Sequence, residues 1–214
     1  IRVAARFNKK AVAVLTDMNE PLGEAVGNSI EVIEAIQALK GKAPVDLMEV
    51  TLALGAQMLI LGKKAKNTKE AGKRLQQSIQ TGQALDKFRE MIRKQDGNPR
   101  VLDDYRLLPW AKHKLTVCSD KNGYVQSIDT MKIGLSAVKL GAGRERMDSR
   151  IDPGVGFLIQ KKVGDFVEEN EPLATVFANN LYKGKSASRE IISSFRIERR
   201  KAGKLKKILR MANP

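Results

Sequence analysis

The sequence has a single cysteine, Cys118, and a single histidine, His113. One cysteine excludes an internal disulfide and suits a reducing compartment, so a cytoplasmic location is expected. One cysteine and one histidine together exclude the usual zinc sites. They also leave a nucleophile–base triad with only His113 to supply its base. His113 reads as a surface or packing residue. Cys118 alternates with apolar neighbours and reads as a buried thiol. No phosphate-binding P-loop pattern is present. Neither "GAGR" (141–144) nor "GVG" (154–156) stands at a strand-to-helix turn with the spacing of a dinucleotide fingerprint. No apolar run approaches the roughly 18 to 20 residues of a membrane span. The opening "IRVAARFNKK" lacks the apolar stretch of a signal peptide. It reads as the closing turns of a helix already under way, so the chain is expected to begin inside a domain.

What is present suffices for a core. Of the 214 residues, 42 % are hydrophobic, which argues against disorder. The net charge of +15 is concentrated at one end. Residues 196–214, "RIERRKAGKLKKILRMANP", hold eight basic residues against one acid, Glu198. The basic signal therefore describes the tail and says little about the body. Apart from Phe195 just before it, the tail has no aromatic residue to stack on bases. It is expected to be a solvated or disordered extension, and nucleic-acid binding through 198–214 is the alternative reading rather than the expectation.

Along the chain, "KKAVAVLTD" (9–17) is a short β-branched run, expected to be a strand buried on both faces of a parallel or mixed sheet. Asn28 followed by Glu31 resembles a capping box before a helix carrying Ile30, Val32, Ile33, Ile36 and Leu39. Asp46 and Glu49 open a second helix, apolar over most of its surface and so expected to be central. Two amphipathic helices follow, ending near Gly82 and Gly97. Strands dominate after "YRLLPWAKHK". "HKLTVCSDKNGYVQSID" reads as strand, turn at Asn122-Gly123, strand. A short helix capped by Thr130 follows, then strands split by "VGD" and "EENEP", and a closing helix in "SASREIISSFRI". The expected divisions are 1–111, 112–197 and the basic tail 198–214.

The stretch "TDMNEPLGEAVGNSIEVIEA" (16–35) poses the chemical question. Glycine-spaced turns before helices often cradle phosphate. This one carries Asp17, Glu20, Glu24, Glu31 and Glu34 and no lysine or arginine. Such a loop repels phosphate and attracts a cation. The bland alternative is a helix-entry turn with Glu34 solvated. A carrier reading, with Lys132 as a modifiable lysine on a biotinyl- or lipoyl-type domain, fits poorly. Lys132 lies at the start of a helical pattern and not at a hairpin tip.

"AVAVLTDMNEPLGEAVGNSIEVIEAIQALKG", "LLPWAK", "GYVQSIDTMKIGLSAVKLGAGR" and "IDPGVGFLIQKKVGDFVEENEPLATVFAN" together resemble, in order, the C-terminal half of the bacterial pyrimidine-nucleoside phosphorylase and thymidine phosphorylase family. The match runs from about residue 8 to Ile197. The resemblance implies an α/β fold: the C-terminal part of a phosphorylase-type α/β domain, followed by an α/β barrel-sandwich domain. It implies a pentosyltransferase reaction in which inorganic phosphate and a pyrimidine nucleoside give the free base and a pentose 1-phosphate. The family's phosphate- and base-binding segments lie upstream of this stretch, so it implies no catalytic residue in this chain and no activity of the chain alone. It implies a monovalent cation, potassium or sodium-like, held by the backbone carbonyls of Leu22 and Ala25 and the carboxylate of Glu34, with the remaining ligands outside this chain. It also implies a homodimer and no membrane partner. Gln160 and Trp110 depart from the family's usual His and Gln, at positions not expected to do chemistry.

Overall fold

The structure is a computed structural model that describes residues 1–212. In chain order the elements are α1 (Arg2–Arg6), β1 (Ala13–Thr16), β2 (Ala25–Gly27), α2 (Asn28–Leu39), α3 (Val45–Leu61), α4 (Thr68–Gln80) and α5 (Gln83–Lys94). After short 3-10 turns at Pro99–Leu102 and Tyr105–Leu107 come β3 (His113–Cys118), β4 (Gly123–Ile128), α6 (Thr130–Leu140), β5 (Gly156–Ile159), β6 (Phe166–Val167), β7 (Pro172–Ala178), α7 (Leu181–Ile192), β8 (Phe195–Glu198) and β9 (Ile208–Ala212). No helix among the described residues is long and apolar enough to cross a membrane.

The chain divides into two compact units that are not continuous in sequence. One holds residues 1–17, 36–99 and, of the described residues, 206–212. The other holds 18–35 and 100–205. The units cut across the divisions read at 112 and 198. Residues 18–35 and 100–111 group with the later strands, because β2 pairs with β5. Residues 206–212 group with the early helices, because β9 pairs with β1.

In the first unit α4 is the best-signalled helix. The Asn67 side chain accepts the Glu70 N–H at 2.9 Å, and the Glu70 carboxylate accepts the Lys66 N–H at 2.9 Å. Each thereby satisfies a donor that the helix start leaves open. Arg74 adds an i,i+4 ion pair to Glu70 at 2.8 Å. Gly55 lets α3 approach α4 closely, since a Cβ there would stand 3.0 Å from Leu75 Cδ1. Ala56, Ala65 and Ala71 are buried together at this junction. The rest of α3 departs from the central helix expected. Only Val50 and Ala56 are buried, and Val45 and Met58 are 84 % and 68 % exposed.

Two further expectations are corrected in this unit. The strand near 11–15 is not buried on both faces: Ala13, Val14 and Thr16 are half-buried and Leu15 is exposed. Its pairing partner is β9, antiparallel, with Ala13 opposite Ala212 and Leu15 opposite Arg210. The basic tail is accordingly no solvated extension over 208–212. Ile208 and Ala212, on one face of this strand, are half-buried while Leu209 and Met211 on the other are exposed, and Lys207 is 5 % exposed. Residues 213–214 of that tail lie outside the described residues.

The second unit holds the main core. One sheet has the order β2-β5-β7-β3 and the other β6-β4-β8. Every strand pair among the described residues is antiparallel, where a parallel or mixed sheet was expected. Mixed α/β architecture is as expected. Phe157, Ile159, Leu173, Val176, Val125, Val167, Ile133 and Ile191 are almost fully buried between the sheets and α6 and α7. β7 is central and buried over most of its length, as a strand covered on both faces should be. The segments around Asn122-Gly123 do not pair with each other. β3 pairs with β7, and β4 with β6 and β8. Helix α6 is capped by Asp129, whose side chain accepts the Lys132 N–H at 2.9 Å, one residue before the Thr130 cap expected. Thr130 instead donates its hydroxyl to the Met18 carbonyl at 2.9 Å. The closing helix is earlier than read, with Phe195–Glu198 forming β8.

Gly27 and Gly156 stand opposite each other where β2 meets β5. A Cβ on Gly156 would lie 2.4 Å from the Val26 carbonyl oxygen, and one on Gly27 would lie 2.6 Å from that of Val155. Both have positive φ, +156° and +145°. Gly156→Ala is expected to destabilise the chain by about 2–3 kcal/mol through strain and backbone displacement, read as a lower urea midpoint. An unchanged midpoint would contradict the close approach. Deleting 206–214 should expose the β1 edge. The Asp17 amide, which donates to the Lys207 carbonyl at 2.9 Å, should then lose hydrogen-exchange protection.

Candidate functional site

From Met18 onward the acidic loop and the start of α2 lie within the second unit, on the edge strand of its larger sheet. The Ile159 N–H donates to the Glu24 carbonyl at 2.7 Å, while the Glu24 N–H, which a regular pair would return to Ile159, goes to Glu34. In the alternating antiparallel register the next residue, Ala25, opposite Leu158, turns its N–H and C=O away from β5. That free edge faces α2. Glu34 Oε1 accepts the Glu24 N–H at 2.7 Å and the Ala25 N–H at 3.2 Å. One turn earlier, Glu31 Oε1 accepts the Gly27 N–H at 2.8 Å. Glu31 thus caps the helix start as expected. Asn28, read as the cap, is the first helical residue and donates its side-chain amide to the Ala142 carbonyl at 2.9 Å.

Glu34 is therefore no solvated helix residue. Burial pushes its carboxyl above the usual carboxylate value, and the nearby Glu24 carboxylate adds to the rise. The two backbone N–H donors and the Lys162 ammonium pull the other way. Gly23, with φ +67°, permits this contact, since a Cβ there would stand 2.3 Å from Glu34 Oε2.

The turn after β5 completes the arrangement. Lys162 reaches across to the loop, and its Nζ donates to the carbonyls of Pro21 and Gly23. Its own N–H donates to Asp165 Oδ2 at 2.9 Å. The neighbouring Val163 N–H donates to Glu20 Oε2 at 2.7 Å, and Glu20 is 6 % exposed. The loop thus supplies two carbonyls and a buried carboxylate, and the turn supplies an ammonium and an amide.

Of the three residues expected to hold a cation, the structure brings Ala25 and Glu34 together through an N–H contact. Leu22 lies between the two carbonyls that Lys162 engages and is 42 % exposed. Glu34 Oε1 accepts two N–H groups, and the carbonyls on either side of Leu22 accept from the Lys162 ammonium. Among the described residues no group of three acidic, histidine or cysteine side chains could hold a metal ion. Sequence reasoning missed Lys162, and it named Glu20 only as one of the loop's acids. The only signal available was the absence of any base from a loop with five acids.

The other candidates lie on other elements. His113 opens β3 and Cys118, partly rather than fully buried, closes it. Lys132 is partly buried in the first turn of α6, so no hairpin tip presents it.

Comparison with known proteins accounts for both parts of the chain. Residues 2–85 match the glycosyl transferase family a/b domain, and residues 124–198 match the pyrimidine nucleoside phosphorylase C-terminal domain. The chain belongs to the pyrimidine-nucleoside phosphorylase family. It is 42 % identical over 179 residues to the pyrimidine-nucleoside phosphorylase of Bacillus subtilis strain 168, covering 84 % of this chain and 41 % of that protein. It is 41 % identical over the same length, with the same coverage of both proteins, to that of Staphylococcus aureus strain USA300. The chain thus spans about two fifths of the length of the curated relatives it matches.

Replacing Glu34 by Ala leaves the Glu24 and Ala25 N–H groups without their acceptor, at a cost of about 1–3 kcal/mol. Both amides should exchange faster in hydrogen-exchange mass spectrometry. Glu34→Gln keeps a carbonyl oxygen and should retain most of the protection. Equal exchange in all three proteins would contradict the contact.

Proposed function

We propose that this chain supplies the C-terminal part of a pyrimidine-nucleoside phosphorylase, a pentosyltransferase that converts a pyrimidine nucleoside and inorganic phosphate into the free base and a pentose 1-phosphate. The observation that carries the proposal is the collinear identity, 42 % over 179 residues, with a protein named for that activity. The two family matches, in order on one chain, support it. In this reading the two antiparallel sheets with α6 and α7 are the family's barrel-sandwich, and the enzyme works as a cytoplasmic homodimer.

The chemistry asks for position and charge more than for a covalent nucleophile. Phosphate must be held against C1′ while the sugar gains oxocarbenium character and the base leaves as an anion. Phosphate and base are held by segments upstream of the stretch matched here. This chain's contribution is a rigid edge: β2 and the first turns of α2, fixed by β5, Glu31 and Glu34. The nucleic-acid reading of the tail loses ground, because part of that tail is a paired strand.

The test joins this chain to the upstream part of the Bacillus subtilis relative. The chimera is expected to release uracil from uridine only when phosphate is present, and the chain by itself is expected to release none. A folded chimera with no phosphate-dependent release, beside an active relative, would overturn the assignment.

A further inference from the structure

Helices α6 and α7 pack together within the second unit and leave a cleft of about 280 Å³ along their junction. On α7 the positions 183, 186, 187 and 190 share one face, and on α6 so do 136, 139 and 140. Each helix turns that stripe toward the cleft. Ser136 is the unusual member. It is 1 % exposed, and its Oγ meets no hydrogen-bond partner among the described residues. A helical serine often returns its hydroxyl to a carbonyl one turn back, as Ser188 does to Gly184 at 2.9 Å. Ser136 does not, although a buried hydroxyl without a partner is costly and rare in folded proteins.

The rest of the lining restricts what fits there. Its charges cancel: Lys139 pairs with Glu190 across the two helices at 3.1 Å, and Lys183 is matched in number by Glu145. Neither an anion nor a cation is favoured by net charge. Leu140 and Ala187 contribute apolar surface, and Ser186 a second hydroxyl. Tyr182, 78 % exposed, places an aromatic ring at the rim. The fitting ligand is small, uncharged and planar, with donors and acceptors on its edge for the hydroxyls and a flat face for the tyrosine.

We propose that the α6–α7 cleft binds a free pyrimidine base, with Ser136 hydrogen-bonding the ring edge and Tyr182 stacking on its face. The Ser136 hydroxyl turns about a single bond to meet the ligand. The choice of a pyrimidine base rests on the phosphorolysis proposed above, of which that base is a product. The cleft and its unpartnered hydroxyl do not depend on that reading.

The test is an amide NMR titration of the nitrogen-15-labelled full chain with uracil, beside inorganic phosphate and glycine as charged controls. Saturable shifts confined to α6 and α7 are expected at millimolar uracil. Ser136→Ala and Tyr182→Ala should each weaken binding about three- to tenfold. Ser136→Ala should also melt no lower than the parent, since its hydroxyl has no partner to lose. The proposal is overturned by the absence of saturable shifts, by shifts centred on other elements, or by phosphate or glycine moving these amides in place of uracil. It is equally overturned if Ser136→Ala binds uracil as tightly as the parent. If Ser136→Ala does not fold, Tyr182→Ala, altered at an exposed position, decides by the same criterion. The chimera tests phosphorolysis separately. An active chimera beside a chain that ignores uracil sinks this site alone, and an inactive chimera beside a chain that binds uracil sinks only the phosphorylase reading.

Discussion

Much of the second unit depends on one close approach of two backbones. Gly27 and Gly156 meet at a separation that leaves no room for a Cβ on either strand. That contact lets a three-residue strand join a sheet whose other members come more than 85 residues later. Once β2 is docked, the rest follows locally. Its free edge presents amides to α2, Glu31 and Glu34 accept them, and the loop before it is brought under the turn after β5. The short strand would be marginal by itself, and its partners in the sheet stabilise it.

The helices and the later strands were legible because their signals are local. Periodicity and the glycines after helices operate within a few residues. What the sequence did not reveal is pairing at long range. The strand–turn–strand reading around Asn122-Gly123 was correct in its elements, but the two strands sit in different sheets. The tail read as solvated because its composition is basic, yet hydrogen bonding to β1 needs only backbone and a tolerable alternation. Helix α3 read as central because composition reports apolar surface and does not report whether anything covers it.

The loop at 16–35 shows the same limit in charge. The loop's five acids come without a base. They could not signal the contact with Lys162, which is remote in sequence and looks like any lysine in a turn. The Glu34 carboxylate is a fixed acceptor in the fold, and two of the donors that it meets are the chain's own amides.

The pairing of β1 with β9 has a consequence for synthesis. Ala13 and Ala212 are neighbours in the folded chain but are made about 200 residues apart. At roughly 5–20 residues per second, β1 emerges from the ribosome about 10–40 s before its partner exists. Throughout that interval one ladder of hydrogen-bonding groups has no mate from β9 and is open to any other extended segment nearby. The second unit has no such wait for β9, since its last strand, β8, ends at Glu198. Assembly order is thus set by strand pairing as much as by chain order: the interleaved later unit can close first, and the unit that begins the chain must wait for β9.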